Sequence, residues 1–307
     1  MNEFDLIKKY FDWGQDIGDD CALVSVNRYQ QLATTVDTLI EGVHFPADTT
    51  PQDIAYKALA VNLSDLAAMG ATPLYFTLAL TLPSVNEPWL EKFSQSLRVL
   101  AQQCSIHLIG GDTTKGALSI TINATGILTK NQALLRSGAQ AGDSIFVSNT
   151  LGDAALAWQQ LQNQQNPSTA LLENFNRPEP RIKLGQSLLG IANSCIDISD
   201  GLQQDLSHIL TCSKVGASID LDVLPLSAEV AKHIANTSDW CMVLAGGDDY
   251  ELCFTVSEAH INKLKTVQEE LGVMLTKIGV ITLRSPVSQF RLTIEGLDKT
   301  CKSYQHF

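Results

Sequence analysis

The stretch from Pro51 to Gly70 limits the possible folds of this chain more than any other segment. Its pattern is helical, with Thr50 placed as N-cap, Pro51 at the first helical position and Gly70 as the stop. It is also apolar nearly all round, so it has no face to give to water and must be buried. The neighbouring segments supply the layers to cover it. Leu32 to Val36 reads as a strand ending at Asp37, Phe76 to Leu82 as a second, His107 to Ile109 as a short strand running into Gly110-Gly111-Asp112, and Ser119 to Ile127 as another, with a helix over Trp89 to Cys104. After a turn-rich stretch, Arg136 to Asp143, the pattern resumes with a strand at Ser144 to Ser148, a helix after Gly152-Asp153 and a polar loop over Gln159 to Ser168. A helix over Ile182 to Ala192, a strand at Ile196 to Ser199 and a helix at Leu202 to Leu210 follow, then strands at Ala217 to Leu221 and Glu251 to Val256. Strands and helices alternating in both halves indicate an α/β or α+β protein of two domains, 1–138 and 139–307.

Of the 307 residues, 45% are hydrophobic and 18% charged, which suits a globular chain with sizeable cores. The formal net charge of -12 argues against nucleic acid as a partner, because a duplex binder neutralises phosphates with clustered Lys and Arg. An anionic ligand would need a metal. No apolar run approaches the roughly 20 residues that cross a bilayer, and the start MNEFDLIKKY lacks the pattern of a signal peptide, so a cytoplasmic protein without membrane contact is expected. The seven cysteines are odd in number, lie mostly among apolar neighbours and form no C-x-x-C pair, which reads as buried free thiols.

Aspartate recurs beside glycine where strands are expected to end: Gly18-Asp19-Asp20, Val36-Asp37-Thr38, Gly110-Gly111-Asp112, Asp197-Ile198-Ser199-Asp200-Gly201 and Gly246-Gly247-Asp248-Asp249. One such motif is most often a solvated turn. Five, each bordered by a strand-like run, favour carboxylates converging on hard divalent cations. Asp65 argues independently, because Ile54, Ala58, Val61, Asp65 and Met69 fall on one helical stripe with Asn62 a turn before Asp65. A carboxylate in an apolar stripe needs a metal, an ion pair or backbone N–H partners. Asp200 reads either as part of a site or as the N-cap of the helix from Leu202, whose N-terminus would in either case face an anion. No Walker loop, G-x-G-x-x-G, H-E-x-x-H or G-x-S-x-G occurs, and no EF-hand loop supports a calcium-binding alternative.

The segments GDDCALV, TVDTLIEGVHF, YKALAVNLSDLAAMGATP, LIGGDTTKG, RSGAQAGD, DISDGL and GGDDYELCFTV, in this order and spacing, resemble the thiamine-monophosphate kinase family over nearly the whole chain. The resemblance implies the two-domain fold of aminoimidazole ribonucleotide synthetase, with an N-terminal α/β domain that dimerises through its sheet, a C-terminal α+β domain and a cleft between them. It implies that ATP and thiamine phosphate give ADP and thiamine diphosphate with several magnesium ions.

By the same resemblance, Asp20, Thr35, Val36, Asp37, Asp65, Asp112, Asp197 and Asp200 are metal positions, with Val36 offering only its carbonyl. Gly111, Asp112, Arg136 and Ser199 are ATP contacts, and His44, Asp248 and Tyr304 contact thiamine phosphate. Asp112, Asp197, Asp200 and Arg136 carry the catalytic load. The less favoured readings are that His44 is an ordinary loop histidine and Arg136 an ordinary surface cation at a turn. Asp248 stands where the family pattern Gly-Gly-Glu-Asp-Tyr-Glu has Glu, one methylene shorter. The nearest rival is another ATP-using enzyme of the same fold acting on a ribonucleotide or selenide.

Overall fold

The computed structural model describes residues 3–14, 25–283, 292–295 and 301. The chain divides into two compact units, Met1–Leu66 with Ala71–Asn131, and Ala67–Gly70 with Gln132–Phe307.

In the first unit β1 (Gln30–Ile40), β2 (Thr72–Leu82), β3 (His107–Lys115) and β4 (Ser119–Thr129) form a sheet in the order β1-β4-β2-β3. All pairs are antiparallel except β2 with β3, which are joined through α3 (Glu87–Gln103). The expected helix is α2 (Pro51–Ala68), and its start is capped as the sequence indicates: Thr50 Oγ1 accepts from Asp53 N at 3.2 Å and donates to the Asp53 carboxylate at 2.7 Å. Gly70, at φ +68°, ends it in the left-handed conformation that needs no Cβ. Ile54, Ala55, Ala58, Leu59, Leu63 and Leu66 on α2 are at most 3% exposed, as burial of a faceless helix requires.

The sheet has two unlike faces. Thr35, Asp37 and Leu39 lie opposite Ala124, Ile122 and Ile120, all three of them fully buried. Leu32, Thr34, Val36, Thr38 and Ile40 point the other way, and hydroxyl pairs tie Thr34 to Thr125 (3.1 Å) and Thr38 to Thr121 (2.8 Å) across the strands. On that face Leu32, Val36 and Ile40 are 41%, 59% and 40% exposed.

Two expectations are corrected here. Asp37 and Asp112 lie inside β1 and β3 rather than at strand ends. Gly110-Gly111 reads as a turn, yet a Cβ on Gly111 would sit 1.9 Å from the Leu78 carbonyl oxygen, so the glycine serves close approach of β3 to β2.

In the second unit β5 (Ser144–Ser148), β6 (Ser194–Asp197), β7 (Gly216–Asp220), β8 (Leu252–Val256), β9 (Leu275–Thr282) and β10 (Leu292–Glu295) form a sheet in the order β10-β7-β9-β5-β8-β6. Every residue of β8 is buried, because both faces of the sheet are covered. Cys253 packs with Ile145, Val147, Ile196 and residues of α4 (Asp153–Gln162) and α7 (Leu202–Ser213), while Leu252, Phe254 and Val256 pack with Phe146 and residues of α10 (Ile261–Leu271). Helices α8 (Ala228–Thr237) and α9 (Trp240–Ala245), with α10, β9 and β10, complete the unit.

The free-thiol reading is corrected in part. Cys241 and Cys301 form a disulfide, Cys212 is exposed, and Cys195 and Cys253 are buried thiols. The joined cysteines are 60 residues apart in the chain, and the Gln203 carboxamide also holds Cys301 by hydrogen bonds to both its backbone N–H (3.2 Å) and its carbonyl (2.8 Å).

Candidate active site

Period-2 alternation on β1 sends Thr35 and Asp37 to the same side, and the 3.6-residue period of α2 brings Asp65 to them. The Thr35 hydroxyl donates to Asp65 Oδ2, and the Asp37 carboxyl lies against that of Asp65. A side chain of β1 thus holds Asp65. Burial, then the charge and hydrogen bond of Asp65, push the Asp37 carboxyl from 3.8 up to about 7.

Two carboxylates and a hydroxyl crowded in this way form a hard oxygen donor set. Magnesium is bound through one or two carboxylates together with waters and substrate phosphates, so these residues fit it. Among the described residues no group of three or more His, Cys, Asp or Glu assembles into a metal site.

The raised Asp37 has a consequence for metal-free protein. A carboxyl that keeps its proton up to about 7 in the fold, but releases it near 3.8 when unfolded, supports the fold at low pH and loses that support as pH rises through 7. Asp37→Asn is therefore expected to raise the unfolding temperature in EDTA at pH 8 and leave it near wild type at pH 5. Equal shifts at both pH values, followed by thermal denaturation, would contradict the pairing.

His44 lies in the turn that closes β1. Its Nδ1 accepts the Ile40 N–H at 3.0 Å, so in this geometry the ring proton is on Nε2, which becomes a donor. The ammonium of Lys57, 2% exposed, reaches the His44 carbonyl at 3.4 Å and ties the turn to α2.

Gly111 and Asp112 are not brought to this group. β1 and β3 are opposite edges of the sheet, about 14 Å apart at the usual strand spacing. Register pairs Asp112 with Ala79, Ala79 with Thr121 and Thr121 with Thr38, so Asp112 shares the open face with Val36. Val36 directs its side chain away from Asp37 and Asp65. Asp20 and Tyr304 lie outside the described residues.

In the second unit β6 ends at Asp197, which is 4% exposed, so Ser199 stands beyond the strand in the loop leading to α7. This loop and the one after α9 are joined by backbone hydrogen bonds: Asp248 N to Ser199 O (2.8 Å), Tyr250 N to Ile198 O (2.7 Å) and Ile198 N to Glu251 O (2.8 Å). Asp197, Ser199, Asp200 and Asp248 are thereby held on two adjoining loops. Glycine makes the approach possible, since a Cβ on Gly247 would meet the Ser199 carbonyl at 2.5 Å and one on Gly201 the Ala245 Cα at 2.7 Å. Gly201, not Asp200, is the N-cap of α7, and the Asp200 carboxylate instead accepts from Gln204 Nε2 at 2.8 Å.

Arg136 is not gathered here. Its carbonyl accepts from Ser213 at the last residue of α7, so its backbone lies about 18 Å along that helix from the loop before Leu202.

Two groups that the sequence reading missed hold these loops. Asp205 Oδ2 accepts the backbone N–H groups of both Ser199 and Asp200 at 3.0 Å; burial pushes its carboxyl up to about 7, against the pull of those bonds. Arg181 grips Glu251 in a buried bidentate pair, Nε to Oε2 at 2.8 Å and NH2 to Oε1 at 2.6 Å. Ser148 and Asn149 also donate to Glu251. Next to Asp248, the Asp249 carboxyl accepts from Gly152 N at the start of α4, and burial raises it far above the carboxylate range. Only an i, i+5 spacing from Asp200 could have pointed to Asp205; nothing local links residues 70 apart such as Arg181 and Glu251.

The family model "AIR synthase related protein, N-terminal domain" matches residues 18–128, and "AIR synthase related protein, C-terminal domain" matches 140–288. The thiamine-monophosphate kinase of Haemophilus influenzae is 49% identical over 293 residues, covering 92% of this chain and 89% of that protein. The crystal structure of the thiamine-monophosphate kinase from Stenotrophomonas maltophilia superposes with a TM-score of 0.86 at 42% identity, covering 95% of each chain. A structure of AaThiL complexed with AMPPCP and TMP gives a TM-score of 0.81 at 30% identity, over 99% of this chain and 96% of that one. With this identity along almost its entire length, and the aminoimidazole ribonucleotide synthetase-like fold in both units, the chain belongs to the thiamine-monophosphate kinase family.

Proposed function

We propose that this protein transfers the γ-phosphoryl group of ATP to thiamine phosphate, giving ADP and thiamine diphosphate, the last step in making that cofactor. The observation that carries the reading is the half-buried pair Asp37 and Asp65 with the Thr35 hydroxyl, in a chain similar throughout to a protein solved with AMPPCP and TMP. In the reading, Thr35, Asp37 and Asp65, with Asp20 and the Val36 carbonyl, are the magnesium ligands of the first unit, and Asp197 and Asp200 are those of the second. Magnesium, when bound, neutralises phosphate charge and aligns the phosphates for a loose in-line transfer.

The remaining roles belong to the chain. Ser199 and Arg136 bind ATP, the Nε2–H of His44 donates to the acceptor phosphate, and Asp248 and Tyr304 contact the thiamine moiety. The acceptor oxygen is already ionised at neutral pH, so the transfer requires neither a strong base nor a covalent intermediate. The site for this chemistry is in the cytoplasm, although disulfides such as Cys241–Cys301 are uncommon in a reducing compartment.

The test is purified protein with ATP, magnesium and thiamine phosphate, scored by chromatography. ADP and thiamine diphosphate are expected in equal amounts, with free thiamine a poor acceptor. No diphosphate at any magnesium concentration would refute the reading, and good turnover of free thiamine would reassign the acceptor.

A homodimer through the open face of the first sheet is part of the proposal. Leu32, Val36 and Ile40 give that face exposed apolar area between rows of threonine. A second copy seated there would also cover Asp112, which one chain leaves on the far edge from Asp37. Sedimentation equilibrium is expected to give twice the chain mass, falling to one chain for Val36→Glu; a wild-type monomer would contradict the dimer.

A further inference from the structure

The loop Gly246 to Tyr250 contains an arrangement that the roles above leave unexplained. Asp248 and Tyr250 both hold positive φ, +64° and +51°, a conformation uncommon for residues with side chains and markedly so for a bulky aromatic. Such backbone persists only where its surroundings enforce it. Here they do, through the hydrogen bonds from Asp248 N and Tyr250 N to the 198–199 backbone and through Gly247. The consequence is that residues two apart turn their side chains together, and the Tyr250 hydroxyl donates to Asp248 Oδ1 at 2.9 Å.

We propose that Tyr250 is a positioning residue for the substrate acid: its hydroxyl fixes the Asp248 carboxylate in the orientation that meets the cationic, amine-bearing thiamine moiety. This rests on the kinase reading and deepens it. Asp248 is a shorter acid than the Glu of the family pattern, and the short arm keeps its carboxylate within reach of the Tyr250 hydroxyl. A charge-assisted hydrogen bond holds a carboxylate more firmly than a neutral one, so the pair presents a fixed acceptor rather than a mobile one. Asp is also among the residues that tolerate the left-handed conformation best, which suits it to this position.

The alternative is that Tyr250 only braces the loop. A double-mutant cycle of Tyr250→Phe, Asp248→Asn and the two combined separates them, with KM for thiamine phosphate, KM for ATP, kcat and unfolding temperature measured for each. Tyr250→Phe keeps the ring and removes only the hydroxyl. It is expected to raise KM for thiamine phosphate about tenfold, the order of one hydrogen bond to a charged group, with kcat and KM for ATP changed less than about twofold. In the Asp248→Asn background it is expected to add nothing.

Three results would overturn the proposal: an unchanged KM in Tyr250→Phe, losses that add fully in the double variant, or a KM rise matched by falls in kcat and unfolding temperature. An Asp248→Asn variant with normal KM would also do so, since Tyr250 would then have no substrate acid to position. Wild-type turnover of thiamine phosphate in the same assay reports on the kinase reading separately, and its absence would remove both.

Discussion

Asp65→Ala is expected to lower kcat about a thousandfold, or ~4 kcal/mol of transition-state stabilisation, while leaving the fold intact. Asp65 is the residue on which β1 and α2 converge: it accepts the Thr35 hydroxyl and raises Asp37 by its charge. Without it Asp37 is a lone carboxylate, and a cation that keeps most of its water is held poorly by one ligand. The fold survives because the loss is of a half-buried acid pair repelling itself, not of core volume. Steady-state kinetics at saturating magnesium, with circular dichroism as the control, measures both. A kcat within tenfold of wild type would mean that the cation is held elsewhere.

Glu251→Ala is expected to act on stability. Arg181 and Glu251 are 8% and 5% exposed and grip each other through two hydrogen bonds, and removing Glu251 leaves the buried guanidinium with only its ion pair to the exposed Glu179 (NH1 to Oε2, 2.6 Å). Breaking a buried pair in this way costs about 3–5 kcal/mol, which for a unit of this size lowers the unfolding temperature by about 10 °C. Replacing both residues with apolar side chains of similar volume is expected to recover most of that loss. The same Glu251 follows Tyr250, and its backbone carbonyl accepts the Ile198 N–H, a bond that the Ala variant retains. A shift under about 2 °C in differential scanning calorimetry would show that the pair does not hold the unit.

What the sequence disclosed and what it withheld divide along the range of the interactions. Asp65 was legible because helical period is a local signal, and a charge on the stripe of Ile54, Ala58 and Val61 needs a partner. The ends of α2 were legible for the same reason, through Thr50 and Gly70. Asp37 and Asp112 were read as strand-end residues because glycine beside aspartate resembles a turn; the packing of Gly111 on the Leu78 carbonyl, which makes that glycine a strand residue, is a contact between segments over 30 residues apart. The joining of the Ser199 and Asp248 loops, the Arg181 and Glu251 pair and the disulfide of Cys241 with Cys301 are all of that kind. Strand order had the largest consequence, since it alone places Asp112 across the sheet from Asp37.

The proposed reaction is a direct transfer from ATP to thiamine phosphate with no covalent stop on the protein. Its most direct test uses ATP made chiral at the γ-phosphorus with oxygen isotopes and reads the configuration of the transferred phosphorus in the thiamine diphosphate formed. Inversion is the predicted result; retention, or no labelled thiamine diphosphate at all, would contradict the account.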